Sequence, residues 1–176
     1  MIASNLYMAV FRIAHILAGI VWVGSAFLFV FYLQPSAAAV GPAGAPFMAE
    51  LLGKRRLTDG ILMAGATAVV AGLFIYWHDW QLYGSFSDWI GSTFGLVLTV
   101  GALASIVALA IGVFGTRPNV RRLLILGRQV AESGGPPSPE IGAEIGQIQG
   151  RLKVFARVGL ALLVFAVLAM STARYL

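Results

Sequence analysis

The longest apolar run in the chain covers residues 8–33 and reads MAVFRIAHILAGIVWVGSAFLFVFYL. As a helix it would measure roughly 39 Å at the α-helical rise, whereas the hydrocarbon core of a bilayer is roughly 30 Å thick. Only two of its side chains are ionisable, Arg12 and His15. The run therefore predicts a membrane-spanning helix that carries two polar side chains within it.

The composition of the whole chain also indicates an integral membrane protein. Hydrophobic residues make up 59% of the sequence and charged residues 11%, whereas about a quarter of the residues in a soluble domain are charged. The first apolar run lacks a basic n-region and is too long for a signal-peptide core, so we expect it to remain in the mature protein. Because the chain has no cysteine, disulfides, thiolate metal ligands and thiol catalysis are excluded.

Three further apolar segments complete the pattern, and the sequence predicts one all-α integral membrane domain over residues 1–176. In the second segment Ala64, Ala68 and Gly72 recur every four residues, a ridge of small side chains that lets another membrane helix lie close. The Pro-, Gly- and Ala-rich stretch at 34–46 predicts an irregular connection. The expected fold is a four-helix transmembrane bundle with spans at about 8–33, 58–77, 91–115 and 154–173.

A helical hairpin extension is predicted between the third and fourth spans, within residues 116–153. The segment GGPPSP at 134–139 breaks the chain in two, and after it Ile141, Ile145, Ile148 and Leu152 recur at helical spacing. We expect the two arms to continue the third and fourth spans beyond the membrane. Their apolar faces should meet, with the isoleucine series on one arm and Leu123, Leu126 and Val130 on the other.

The distribution of basic residues predicts the orientation. Nine lysines and arginines lie in the connections 34–57 and 116–153, whereas Arg174 alone lies outside the spans on the opposite side. By the positive-inside rule both termini face the exterior, and the basic hairpin lies in the cytoplasm. Topology accounts for the basic surface, so contact with anionic lipid headgroups is expected and nucleic-acid binding is not.

One face of the first span is the candidate functional surface. At 100° per residue Met8, Arg12, His15, Gly19 and Trp22 fall on one side of the helix, with His15 about 11 Å inside it. One hypothesis is that His15 ligates a b-type haem, with Arg12 beside a propionate, Gly19 leaving room and Trp22 close by. The alternative is that His15 bonds to a neighbouring helix while Arg12 extends to the headgroups.

His78 is the only other histidine and is expected on the same side of the membrane. Metal binding by both His15 and His78 requires a tilt or a register shift, because His78 lies at the end of its span. An interfacial position beside Asp79 is the favoured interpretation. Copper is a further possibility, bound by His15 with Met8 or by His78 with Asp79, since imidazole and thioether suit copper.

The remaining polar residues within the spans are interpreted as structural rather than catalytic. Asp59 and Arg157 fall at similar depth in the second and fourth spans and are expected to form an ion pair within the membrane. The sequence contains no catalytic triad, phosphate-binding loop or H-E-x-x-H motif. Ordinary soluble enzyme chemistry is therefore not predicted.

Four stretches resemble the CopD-like family of small four-helix membrane proteins: HILAGIVWVGSAF at 15–27, RRLTDG at 55–60, RRLLILGRQVAESGGPPSPE at 121–140 and LAMSTARYL at 168–176. The resemblance implies a four-helix unit in a bacterial cytoplasmic (inner) membrane. Copper-resistance relatives imply metal handling, and the similar HemJ-type proteins imply haem binding and protoporphyrinogen oxidation. Only His15 corresponds to a functional position of the family.

Three functional hypotheses follow. The first is a membrane protein that binds haem b through His15 and serves in electron transfer or as an accessory subunit of a membrane complex. The second is a structural or assembly subunit without a cofactor, and the third is a copper-handling protein. In each case the expected partners are the lipid bilayer and other membrane subunits or a second copy of the chain.

Overall fold

The computed structural model describes residues 2–176, apart from the side chains of residues 2–5 and 42. Over this part of the chain the fold is all-α, since every regular element is a helix and none is a strand. The α-helices are α1 Ile2–Leu28, α2 Gln34–Ala39, α3 Gly44–Ala49, α4 Leu57–Trp80, α5 Phe86–Gly91, α6 Thr93–Ala110, α7 Arg117–Ser133 and α8 Pro139–Thr172.

Turns of π-helix continue several of these helices without a break. Phe29–Leu33 joins α1 to α2, Glu50–Lys54 follows α3, and Ile111–Thr116 joins α6 to α7. Four continuous helical segments are consequently long and apolar enough to cross a membrane, which confirms the predicted number of candidate spans. Their bounds are Leu6–Ala39, Leu57–Trp80, Thr93–Ser133 and Pro139–Tyr175.

The connection predicted to be irregular at 34–46 is instead mostly helical, and the prediction was wrong. It consists of α2, a 3-10 turn at Gly41–Ala43 and the start of α3. Pro35 and Pro42 lie in the first turns of their helices, where the missing N–H has no intrahelical partner to lose. Gly41 adopts φ +62°, a left-handed conformation that suits glycine, and separates the two helices.

The four long helices meet in a small core made of Trp22, Ala68, Ala108 and Leu163, one residue from each of α1, α4, α6 and α8. Small side chains let the helices approach closely. A Cβ at Gly65 would lie 2.7 Å from the Trp22 ring. The small-residue face of α4, where the sequence predicts that another helix lies close, therefore packs against α1.

The predicted hairpin is formed by α7 and the first half of α8. Leu126 on one arm and Ile148 on the other are buried, at 1% and 5% exposure. The Arg122 guanidinium donates two hydrogen bonds to Glu144, at 2.7 and 2.9 Å. Gly134 closes α7 in the left-handed conformation typical of helix C-termini.

The bundle has two ends of different charge. The end that carries this hairpin, with the residues 50–59 and 157, is called the hairpin end, and the opposite end, with residues 12, 79, 88 and 174, is called the terminal end. The hairpin end holds ten lysines and arginines against five aspartates and glutamates, which is the whole formal charge of +5. The terminal end holds two arginines and two aspartates and has no net formal charge.

Candidate functional site: a cleft at the terminal end

A cleft of about 370 Å³ opens at the terminal end and is lined by residues of α1, α4, α6 and α8. Most of its inner surface is apolar, formed by Ile16, Val69, Leu73, Leu98, Ala102 and Ile106. Its polar side chains come from all four long helices and the C-terminal turn, and they include Arg12, His15, Tyr76, Asp79, Ser105, Ser171 and Arg174.

His15 is half-buried in this cleft and is held by a hydrogen bond to α4. Its Nδ1 lies 2.7 Å from the backbone oxygen of Ala68. Because a carbonyl oxygen only accepts, Nδ1 must carry the hydrogen, and in the neutral ring Nε2 keeps an unprotonated lone pair. The contact fixes both the tautomer and the orientation of the imidazole.

Gly72 provides the room for this ring. In α4 the Ala68 carbonyl is also the expected helical acceptor for the N–H of Gly72, one turn further along. A Cβ at Gly72 would lie 2.9 Å from Cε1 and 3.0 Å from Nδ1 of His15. Any larger residue at this position would therefore displace the imidazole from the carbonyl that it contacts.

The other residues of the predicted α1 face lie at different depths in the packing. Met8 and Trp22 are buried, at 8% and 6% exposure. Arg12 is exposed, and both Arg12 and Trp22 line the cleft with His15. Gly19 has no neighbouring heavy atom within 4 Å of the place where a Cβ would stand. Their roles in cofactor binding stay predictions.

His78 lies beside Asp79, as the interfacial interpretation expects, with Nδ1 3.4 Å from the carboxylate Oδ1. Asp79 lines the cleft together with His15, but His78 does not. Within residues 2–176 no three His, Cys, Asp or Glu side chains are grouped closely enough to hold a metal ion. A metal site that joins His15 to His78 stays a prediction.

Arg174 and Asp79 are residues of the cleft that sequence reasoning did not assign to it. Arg174 lies in a 3-10 turn that follows α8, and Asp79 lies in the last turn of α4. The sequence indicated part of this arrangement, because the predicted topology puts Arg174 and Asp79 on the same side of the membrane as Arg12. Which side chains border the cleft depended on the crossing of the helices, which the sequence pattern does not give.

The predicted partner of Asp59 was wrong, because the carboxylate pairs with Arg117 and Arg56 rather than with Arg157. Arg56 donates to Oδ2 at 3.1 and 2.9 Å. The Nε of Arg117 lies 2.9 Å from Oδ1 as an ion pair, without the alignment of a hydrogen bond. The π-helical turn before α7 and the left-handed conformation of Arg56, φ 53°, bring both arginines to the first turn of α4.

Glu50, at the same end, is also paired. Its carboxylate lies 3.0 Å from Lys54 Nζ and 3.3 Å from Arg55 Nε. The hydrogen bond from Lys54 is the main reason why the pKa of Glu50 is lowered, and the positive charges of Lys54 and Arg55 act in the same direction. Glu50 therefore stays ionised at neutral pH, and its carboxylate is paired with Lys54 and Arg55.

Searches against protein-family models, curated proteins and solved structures gave no match to this chain. The cleft and the basic hairpin end are therefore interpreted from their own chemistry.

Proposed function

We propose that this chain is a multi-pass membrane protein that binds b-type haem in the terminal-end cleft, where His15 Nε2 would hold the iron. It would serve in electron transfer or as an accessory subunit of a membrane complex. The observation that supports this proposal is the hydrogen bond from His15 Nδ1 to the Ala68 carbonyl. Histidines that ligate metals almost always donate their other ring N–H to a carbonyl or carboxylate oxygen in this way.

The lining of the cleft agrees with the apolar ring and the charged propionates of haem. Its volume of about 370 Å³ falls within the range of about 300–1,000 Å³ that is typical of ligand sites. The apolar inner wall suits the body of a macrocycle. Arg12 and Arg174 at the mouth suit its two propionates, since arginine pairs strongly with carboxylates. Bound haem would supply one-electron redox chemistry, and the chain would supply the ligand, the orientation and the counter-charges.

The membrane and orientation belong to the same proposal. The four apolar segments suit a bilayer, and the CopD-like resemblance of the sequence around His15 favours a bacterial cytoplasmic membrane. Since all of the net positive charge lies at the hairpin end, the positive-inside rule puts the hairpin in the cytoplasm and opens the cleft to the exterior.

A structural or assembly subunit without a cofactor is the second candidate, and one contact favours it. The hydrogen bond between His15 and Ala68 by itself holds α1 to α4, and polar contacts of this kind stabilise membrane helix pairs. Under this hypothesis His15 Nε2 binds no metal ion or cofactor. Copper handling stays a prediction. The cleft is lined by a single imidazole, that of His15, and this does not add support for a copper site.

The test is the absorption spectrum, oxidised and reduced, of the protein purified in detergent after expression with added haem. We expect a Soret band in the native protein and in His78→Ala, the matched control that removes the histidine outside the cleft. The band should disappear or shift in His15→Ala. A native protein without a Soret band would contradict the haem proposal.

A second variant separates binding from packing. The side-chain amide of His15→Gln can still donate to the Ala68 carbonyl, but it offers no ring nitrogen to iron. We expect this variant to keep the melting temperature of the apoprotein and to lose the haem band. Retention of the band in His15→Gln would show that another residue ligates the iron.

A further inference from the structure

A shallow groove of about 430 Å³ lies on α8 at the hairpin end, where the helix leaves the fourth predicted span. Its lining consists of Gln147, Gly150, Arg151, Val154 and Phe155. The floor is fixed, because the Phe155 ring packs against the backbone at Gly115, where a Cβ would meet it at 3.2 Å. The groove is open above Gly150, whose Cβ position has no neighbour within 4 Å.

The groove has one charged half and one apolar half. Arg151 is exposed and forms no ion pair with a carboxylate in the described part of the chain. Val154, one turn closer to the bundle, is 58% exposed. Along the groove the lining therefore changes from the cationic Arg151 to the apolar Val154 over about one helical turn, at the level of the expected membrane boundary. The exposed Arg157 lies about one turn further along α8 and is not part of the lining.

The acidic residues of the hairpin end do not neutralise this arginine. Glu50, Asp59 and Glu144 each pair with other basic residues. The remaining two, Glu132 and Glu140, lie near the tip of the hairpin, on either side of the break at Gly134. The excess of positive charge at this end is thus left for an external anion.

We propose that the groove binds one anionic phospholipid, with its phosphate on the Arg151 guanidinium and an acyl chain along Val154 and Phe155. Guanidinium matches phosphate oxygens with two parallel hydrogen bonds. The exposed valine and the aromatic floor match a hydrocarbon chain that leaves the headgroup region at the same depth. This site is separate from the terminal-end cleft and does not depend on haem.

Nucleic acid is a different ligand for a basic surface, but the groove favours lipid. A polynucleotide would contact exposed arginines over the whole hairpin and would have no use for an apolar floor beside one of them. A lipid uses both halves of the groove. The two ligands can therefore be distinguished by substitution. Lipid binding should depend on Arg151 in the groove, whereas nucleic-acid binding should depend on basic residues over the whole hairpin.

The experiment is native mass spectrometry of the full chain in detergent, with equal amounts of phosphatidylglycerol and phosphatidylcholine. We expect preferential retention of one phosphatidylglycerol. Arg151→Gln should reduce that retention about fivefold, the effect of one basic residue on binding to an anionic lipid surface. Equal retention of the two lipids by the native protein would overturn the proposal.

The matched control is Lys153→Gln, which removes the same charge from an exposed position only two residues away. At 100° per residue Lys153 points about 200° around the helix from Arg151, and so away from the groove. We expect Lys153→Gln to retain phosphatidylglycerol nearly as the native protein does. An equal loss in the two variants would show diffuse attraction to the basic end, and displacement of the lipid by a single-stranded oligonucleotide would indicate nucleic acid; either result overturns the groove as a lipid site.

Discussion

At the terminal end Gly72 of α4 and Gly95 of α6 lie in close contact with residues of neighbouring helices, whereas the glycines of the hairpin face open space. Gly72 lies under the imidazole of His15, and Gly95 lies against Trp89. In the first half of α8, Gly142 and Gly146 have no heavy atom within 4 Å of a Cβ position. At the terminal end glycine thus permits a close contact between helices. In the hairpin it permits no contact and only lowers the helix propensity of α8.

Charge divides the two ends in a similar way. The terminal end has no net formal charge and surrounds an apolar cleft with a few polar side chains, whereas the hairpin end carries the net charge of +5. Ion pairs at the hairpin end are mostly exposed, as in Arg122 with Glu144. Such an arrangement suits a protein that binds a ligand at one end and meets charged headgroups at the other.

Gly72→Ala tests the packed end and should give the largest effect on stability. The new Cβ would force the His15 ring away from α4, and overpacking of this kind costs about 2 kcal/mol of unfolding free energy. Denaturation in mixed micelles measures the loss. Gly19→Ala, on the facing helix but with open space around it, is the control and should not destabilise the protein. Equal stability of the two variants would contradict the close contact.

Asp59→Asn tests an acidic residue of α4 that pairs both with Arg56, the residue directly before this helix, and with Arg117 of α7. Loss of the negative charge leaves Arg56 and Arg117 without their shared partner. Because the Asp59 side chain is 26% exposed and Glu144 is 39% exposed, we expect a loss of about 1 kcal/mol. Glu144→Gln removes the exposed pair with Arg122 and should lower the melting temperature much less, because exposed ion pairs contribute little. A greater loss in Glu144→Gln would mean that the hairpin governs stability.

Gly146→Ala should have the smallest effect and the opposite sign. Alanine favours a helix over glycine by up to about 1 kcal/mol, and the added methyl group meets no neighbour. We expect a small rise in the melting temperature of the protein in detergent. A fall would indicate that another helix, from a second copy or a different subunit, packs on this face of α8.

The sequence predicted the elements with long, uniform patterns and missed those that depend on local geometry. The apolar runs and the isoleucine series gave the four long helices and the hairpin, because helical period and length are properties of the chain alone. The stretch at 34–46 was misjudged because its prolines lie in first turns of helices, where they are tolerated. The pairing of Asp59 with Arg157 was predicted only from their similar depth in the membrane. Depth does not determine which basic side chain faces the Asp59 carboxylate.

The candidate site was found in part for the same reason. The shared face of Arg12, His15 and Trp22 follows from helical spacing, and all three line the cleft. The contact of His15 with Ala68 and Gly72 was not assigned, because it depends on the register of α1 against α4. Arg174 was treated as an orientation signal, and its position at the mouth depends on how α8 crosses the bundle.

The sequence by itself determined a helical, membrane-compatible chain with its positive charge concentrated in two connections, since hydropathy, period and charge are summed along the chain. Only the tertiary structure decided which nitrogen of His15 is protonated, which arginines hold Asp59, and that four helices enclose a cleft at the terminal end. Apart from the local pair of Arg56 with Asp59, these features depend on distances of about 3 Å between residues far apart in sequence. Such distances are set by the crossing and register of the helices, where a glycine or alanine on one helix fixes how near the next can lie.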